Sequence, residues 1–143
     1  MQTMAQLLAV KGTRVWSISP DATVFDSLRL MADKDIGALV VMDRGGRPVG
    51  VVSERDYARK VVLRRRSSHD TPVRMIMTTA FAAASSQMGI DACMTLMTSL
   101  RTRRVLIIDD DDLRGIVSIG DLVKATIEEQ QFTIGQLQQY IRS

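Results

Sequence analysis

The chain has 143 residues, a formal net charge of +3, 45% hydrophobic and 24% charged residues, close to an ordinary globular domain. That composition excludes collagen-like and disordered chains, and the length excludes an eight-stranded (β/α) barrel of about 250 residues. One domain, or two very small ones, remain.

In chain order, Met4, Leu7 and Leu8 predict a short N-terminal helix that Lys11-Gly12 ends. No positive region precedes this apolar stretch and no 18-residue apolar run occurs, so neither a signal peptide nor a membrane span is expected. Val15 to Ile18 reads as a strand. Thr23 with Asp26 three residues on reads as a capping box, opening a helix with Val24, Leu28 and Met31 on one face. Ala38 to Asp43 and the run through Gly50-Val51-Val52 read as strands joined by the turn Arg44-Gly45-Gly46-Arg47. A helix is expected over Tyr57 to Leu63, then a polar connection, Arg64 to Thr71. Thr71-Pro72 predicts an N-cap and first helical position for a short turn through Met77.

The pattern then repeats. Phe81 to Ala84 is a strand candidate, and Ile90, Met94 and Met97 repeat the helical trio of Val24, Leu28 and Met31 at an offset of 66. Arg104 to Asp109 and the run through Gly115-Ile116-Val117 repeat the strand pair, with Asp110 to Asp112 as the turn. Gly50-Val51-Val52-Ser53-Glu54-Arg55-Asp56 and Gly115-Ile116-Val117-Ser118-Ile119-Gly120-Asp121 stand 65 residues apart. A helix over Leu122 to Glu129 follows, and Phe132, Leu137, Tyr140 and Ile141 suggest a separate C-terminal helix weakened by Gly135. The expected organisation is an N-terminal helix and leading segment (1–12), repeat 1 (13–66), a linker (67–77), repeat 2 (78–129) and a C-terminal helix (130–143). Each repeat reads strand, helix, strand, strand, helix and needs the other for cover.

Ser-x-x-Asp at a strand-to-helix junction is a capping box by default. The same geometry serves ligand binding: a helix N-terminus offers N–H groups to phosphate, serine adds a hydroxyl, and aspartate accepts from ribose hydroxyls. Duplication leaves both readings open.

Two copies of a strand ending in aspartate, a turn, Gly-hydrophobic-hydrophobic-Ser-x-x-Asp and a helix resemble the tandem cystathionine-β-synthase (CBS) domain pair, or Bateman module, over about residues 11 to 128. The resemblance is to small stand-alone bacterial members. It implies an α/β (α+β) fold of two βαββα repeats related by a pseudo-two-fold, packed sheet to sheet, with short terminal helices. It implies clefts for adenosine-containing ligands (AMP, ADP, ATP or NAD(H)) and a homodimer that signals to an unidentified protein. Carried over by position, the favoured site has Ser118 on phosphate and Asp121 on ribose, with Gly12, Thr13, Trp16, Ile36, Gly37, Ala38 and Arg103. Gly37 suits either close approach of a flat ring or a strand-entry turn. The second site has Ser53, Arg55 and Asp56 with Ala82, Thr102 and Arg104. Ser85-Ser86-Gln87-Met88-Gly89 lacks the proline and capping threonine of Ser19-Pro20-Asp21-Ala22-Thr23, so the second site ranks lower. Arg103 and Arg104 favour a phosphate-bearing ligand.

Other constellations are weaker. Arg59, Lys60 and Arg64 to Arg66 form a basic patch, readable as a solvated helix end or as a polyphosphate or nucleic-acid contact. Asp109 to Asp112 reads as a polar turn, and His69 and Cys93 are singletons without metal-ligand spacing. No P-loop, dinucleotide fingerprint or nucleophile elbow occurs. No enzyme activity and no metal are therefore expected. A single cysteine points to the cytoplasm, and the alternative to a nucleotide sensor is a polyanion-binding protein working through residues 59 to 66.

Overall fold

The apolar run 38–42 forms the central strand of a small sheet in the computed structural model, which describes residues 2–142. The elements are α1 (Met4–Lys11), β1 (Ser17–Ile18), α2 (Val24–Lys34), β2 (Ala38–Met42), β3 (Pro48–Ser53), α3 (Glu54–Tyr57), β4 (Ala83–Ala84), α4 (Ile90–Leu100), β5 (Arg104–Asp109), β6 (Asp112–Ser118) and α5 (Ile119–Arg142). A π-helical turn, Ala58–Val62, continues α3, and a 3-10 turn occupies Val73–Met75. The expected mixed α/β architecture with two three-stranded sheets is observed, in the orders β1-β2-β3 and β4-β5-β6. In each, the first strand is parallel to the second, through Ser17↔Val40 and Ile18↔Val41, and through Ala83↔Leu106 and Ala84↔Ile107. These outer strands are two residues long, shorter than the four expected.

The chain divides into two compact units. One holds the chain up to Thr13, Ala82–Asp110 and the chain from Arg114 onward; the other holds Arg14–Phe81 with Asp111–Leu113. Each has its own core. In the second unit Val24, Met31, Leu39, Val41, Val52 and Val61 are buried, with Leu28 packed against them. In the first, Ile90, Cys93, Met97, Val105, Ile107 and Leu122 are buried, with Met94 against them. Both helical trios thus face their cores as their spacing requires.

Each core is completed by a short segment that sequence spacing assigned elsewhere. Met4, Leu7 and Leu8 of α1 enter the first unit's core, and Val73 and Ile76 of the linker enter the second's. The two segments dock alike. Ile90 N–H donates to Gln2 O and Met4 N–H to Met88 O, while Val24 N–H donates to Thr71 O and Val73 N–H to Ala22 O. Thr3 pairs with Gly89 and Thr23 with Pro72. Residues 2–8 and 71–77 are therefore a further repeated element, at an offset of 69. The glycines of the two Ser-x-x-Asp runs make room for it: a Cβ at Gly115 would lie 2.7 Å from Leu8 Cδ2, and one at Gly50 would lie 2.8 Å from Met77 Sδ.

Three expectations need correction. The helical path after β3 starts at Glu54 rather than Tyr57, because Ser53 caps it. Pro72 takes the N-cap place expected of Thr71, whose hydroxyl instead donates to Ser67 O; residues 71–73 are held extended by their pairing with residues 22–24. The last two expected helices are one, α5, 24 residues long through Gly135. A mid-helix glycine costs about 1 kcal/mol, too little to break a run otherwise rich in helix-forming Glu, Gln, Leu and Ile.

Local rules account for the ends. Thr23 Oγ1 accepts from Asp26 N at 3.1 Å, whereas Gly89 caps α4 without a side chain, as the missing threonine implied. α2 and α4 end at Asp35 (φ 54°) and Arg101 (φ 52°). In each case the next residue's N–H returns to a carbonyl five back, Ile36 to Met31 and Thr102 to Met97, which is the Schellman arrangement. Asp110 and Asp111, at φ 49° and 68°, give the two-residue turn between β5 and β6 the left-handed pair that matches strand twist.

Candidate functional site

Each Ser-x-x-Asp sits where its strand gives way to a helix, and both are capping boxes or close to it. At Ser118 the backbone N–H donates to Asp121 Oδ2 at 2.9 Å, and Asp121 N–H returns to Ser118 Oγ at 3.1 Å. At Ser53 the matching bonds are 3.0 and 3.2 Å. The carbonyl of the residue leading into the central strand is bonded to the helix start each time: Gly37 O accepts from Glu54 N, and Arg103 O from Ile119 N. Two of the first three N–H groups of each helix are thereby used. The second, at Gly120 or Arg55, is the one that neither cap nor strand takes up among the described residues.

The two caps differ in the lysine that reaches the aspartate. Ser53 Oγ also donates to Asp56 Oδ2 at 3.0 Å, which spends its hydrogen. Asp56 Oδ1 pairs with Lys60 Nζ at 3.1 Å, one helical turn on, and Lys60 also donates to Ile76 O at 2.8 Å. Ser118 Oγ accepts from Asp121 N–H at 3.1 Å, and its side chain also bonds the Asp121 carboxyl. Asp121 Oδ2 pairs with Lys11 Nζ at 2.5 Å, and Lys11 also donates to Ile116 O at 2.7 Å. Burial works against ionisation of Asp121, but the Lys11 and Ser118 bonds outweigh it and hold the carboxyl below its ordinary value. A groove of about 280 Å³ beside Asp121 is lined by Leu7, Val10, Lys11, Lys124 and Glu128. A larger hollow, about 440 Å³ beside Ile90, Thr126, Gln130 and Ile134, touches none of the predicted residues.

Of the favoured set, Gly12, Thr13, Arg103, Ser118 and Asp121 belong to the first unit, and Trp16, Ile36, Gly37 and Ala38 to the second. Ser53, Arg55 and Asp56 lie in the second unit, Ala82, Thr102 and Arg104 in the first. Within the first unit, Gly12 (φ 103°) follows Lys11 directly, and Arg103 and Ser118 flank the start of α5. Within the second, Ala38 pairs with Ser53 across β2 and β3. Trp16 is half-buried, with Lys34 Nζ 4.3 Å and Arg14 Cζ 5.3 Å from its ring centroid. Ala82 is buried, and Thr102 Oγ1 bonds Arg104 O at 3.1 Å. Arg55 is exposed, as are Arg59 and Arg64 to Arg66 of the basic patch. Asp109 is committed elsewhere, to Ser86 N–H at 3.0 Å and Arg114 at 3.6 Å. No cluster of three or more metal-ligating side chains occurs among the described residues, and no described helix is long and apolar enough to cross a membrane.

The sequence reading missed Lys11 and Lys60 as partners of the two aspartates. Lys60 was findable, four residues after Asp56 on one helical path. Lys11 was not, at a separation of 110 residues.

The CBS domain family model matches residues 10–63 and 73–128. The chain belongs to the CBS-domain family. A CBS-domain protein of known structure from Burkholderia ambifaria MC40-6 is 45% identical and superposes with a TM-score of 0.84, over 93% of this chain and 99% of that one. The mitochondrial CBS domain-containing protein CBSX3 of Arabidopsis thaliana is 36% identical over 135 residues, 92% of this chain but 65% of its own length. YhcV, a CBS domain-containing protein of Bacillus subtilis, is 32% identical over 110 residues, 77% of each chain. CBS domains are regulatory modules that commonly bind adenosine-containing ligands.

Proposed function

We propose that this CBS pair is a sensor that binds an adenosine nucleotide (AMP, ADP, ATP or NAD(H)), acts as a homodimer, and passes its occupancy to a partner protein. One observation carries the reading: the Ser118 hydroxyl and an Asp121 carboxylate held ionised by Lys11 and Ser118 stand at the start of a 24-residue helix, where the Gly120 N–H is taken up by neither cap nor strand among the described residues. A phosphate gains from that hydroxyl, from Gly120 N–H and from the positive end of α5. A ribose hydroxyl donates to the carboxylate. The same elements at Ser53 rank lower, because α3 is four residues long and passes at once into a π-helical turn. Arg103, next to this cap in sequence-distant chain, suits the phosphate. No catalytic role is part of the proposal.

The test is a thermal-shift screen of the full chain against these nucleotides, followed by calorimetry. A ligand at about 100 times its dissociation constant adds about 2.7 kcal/mol of stability. Asp121→Ala is expected to weaken binding more than Asp56→Ala. Equal losses sink the ranking, and no response to any adenosine ligand sinks the reading. Binding to nucleic acid that falls steeply with salt and is indifferent to nucleotide would favour the basic patch instead.

A further inference from the structure

The C-terminal helix carries a second apolar face unrelated to the cap. Leu122 is buried and Ala125 packs on the first unit's core. A different line on the same helix runs Val123, Ile127, Gln130, Ile134, Leu137, Ile141, alternating steps of four and three residues. Its apolar members are exposed: Ile127 48%, Ile134 54%, Leu137 57% and Ile141 81%. That alternation is a heptad seam, with Ile127, Ile134 and Ile141 at a and Val123, Gln130 and Leu137 at d. A straight helix drifts about 20° per heptad, so over fewer than three heptads the stripe stays continuous.

The residue choice selects the occupant. Isoleucine at every a position, with leucine at d in Leu137, matches the pattern that favours two parallel strands, while Val123 and Gln130 hold the other d positions. The flanking e and g positions are Lys124, Thr126, Gln131, Thr133, Gln138 and Tyr140. In a parallel pair Thr126 meets the partner's Gln131, and Thr133 meets the partner's Gln138, so identical helices bring no like charges together. Nor is there a charge code that would choose a different helix. Glu128 and Glu129 fall at b and c, away from the seam. Gln130, the one polar seam residue, meets itself only in register; a slip of one heptad sets its amide against Val123 and Leu137, which costs an unmet hydrogen bond.

We propose that residues 123–141 of α5 form a parallel, in-register, two-stranded coiled coil with the same segment of a second copy of the chain. This does not depend on the ligand reading; it rests on the homodimer of the proposed function and names the surface that forms it.

The experiment is sedimentation velocity on the full chain across a concentration series. The wild type is expected to be dimeric. Ile134→Glu with Leu137→Glu is expected to raise the dimer dissociation constant about tenfold or more, with far-ultraviolet circular dichroism and nucleotide response retained. Gln130→Leu is expected to tighten the dimer. Ile127→Cys, in a chain whose native Cys93 is buried, is expected to oxidise to a covalent dimer. A wild type that stays monomeric, or a dimer indifferent to the paired glutamates, overturns the proposal. So does an Ile127→Cys chain that cross-links only when mixed with Leu137→Cys, because that is the antiparallel arrangement.

Discussion

Alanine at Gly50 and alanine at Gly115 are expected to differ, although the two glycines occupy the same place in the two repeats. Neither has a left-handed φ, so alanine is allowed by the backbone at both. On backbone entropy alone each substitution would stabilise by about 0.4–1 kcal/mol. The new methyl opposes that gain. At Gly115 it would meet Leu8 Cδ2 at 2.7 Å, Cδ1 at 3.0 Å and Cγ at 3.4 Å, all in a side chain that can turn or shift with α1. At Gly50 it would meet Met77 Sδ at 2.8 Å and Cγ at 3.0 Å, but also Thr78 O at 3.1 Å. That carbonyl accepts from Val51 N at 3.0 Å, and Thr78 N donates to Val51 O at 2.8 Å, so relief means breaking a backbone pair. Overpacking costs about 1–3 kcal/mol. The upper part of that range applies at Gly50 and the lower at Gly115. Net losses of about 2 kcal/mol for Gly50→Ala and below about 1 kcal/mol for Gly115→Ala follow. Urea denaturation of the full chain measures both. Adding Leu8→Val should recover Gly115→Ala, whereas adding Met77→Ala should leave Gly50→Ala impaired. Equal losses, or a larger one at Gly115, would refute the assignment of the difference to the Thr78 carbonyl.

Met4→Ala and Val73→Ala empty equivalent places in the two cores; Met4→Ala is expected to cost about 2–5 kcal/mol and Val73→Ala less, in denaturant midpoints. Thr23→Ala removes the hydroxyl that accepts from Asp26 N–H at the start of α2 and should cost about 0.5–2 kcal/mol by the same measurement. Cys93 is fully buried and burial pushes its thiol above the ordinary 9.0, so a water-soluble disulfide reagent should modify it only at the rate of unfolding; rapid modification of folded protein would contradict the core placement.

What could be read before the fold was known depended on range. The helical trios, the strand pairs and the duplicated Ser-x-x-Asp are patterns within about ten residues, where periodicity and turn chemistry act directly. Their order implied the two sheets. The docking of residues 2–8 and 71–77 was hidden because the two segments share only a short apolar spacing, Met4, Leu7 and Leu8 against Val73, Ile76 and Met77, at an offset of 69 rather than 65 or 66, and an eight-residue helix matches a single 3-10 turn. Backbone bonds to residues 22–24 and 88–90 define the match, and those leave no mark on side-chain choice. The helices expected over 122–129 and 130–143 are one, because the end of the repeat pattern at Glu129 carries no chain-breaking residue. The site divides in the same way: the caps at Ser53 and Ser118 were legible, and Lys11 on Asp121 was not.

That lysine ties the candidate site to the docking of α1, and pH exposes the tie. Lys60 reaches Asp56 from the same helical path, so its bond survives as long as that turn does. Lys11 reaches Asp121 from α1, which is held by Met4, Leu7 and Leu8. The folded-state pKa of Asp121 is depressed, so its contribution to stability is present above the ordinary 3.8 and is lost as pH falls through the lower folded value. Replacing Lys11 by methionine keeps the stem over Gly115's strand and removes the charge. The carboxyl then returns toward, or by its burial above, its ordinary value, and the acid loss of stability starts at higher pH. Carboxyl-carbon chemical shifts of Asp121 follow the titration directly, and urea midpoints against pH follow its consequence. An Asp121 titration unchanged by Lys11→Met would mean that the Ser118 cap alone sets the charge. With the shift observed, α1 docking and Asp121 ionisation are one linked equilibrium, so a ligand hydroxyl that binds this carboxylate necessarily alters how firmly the N-terminal helix is held.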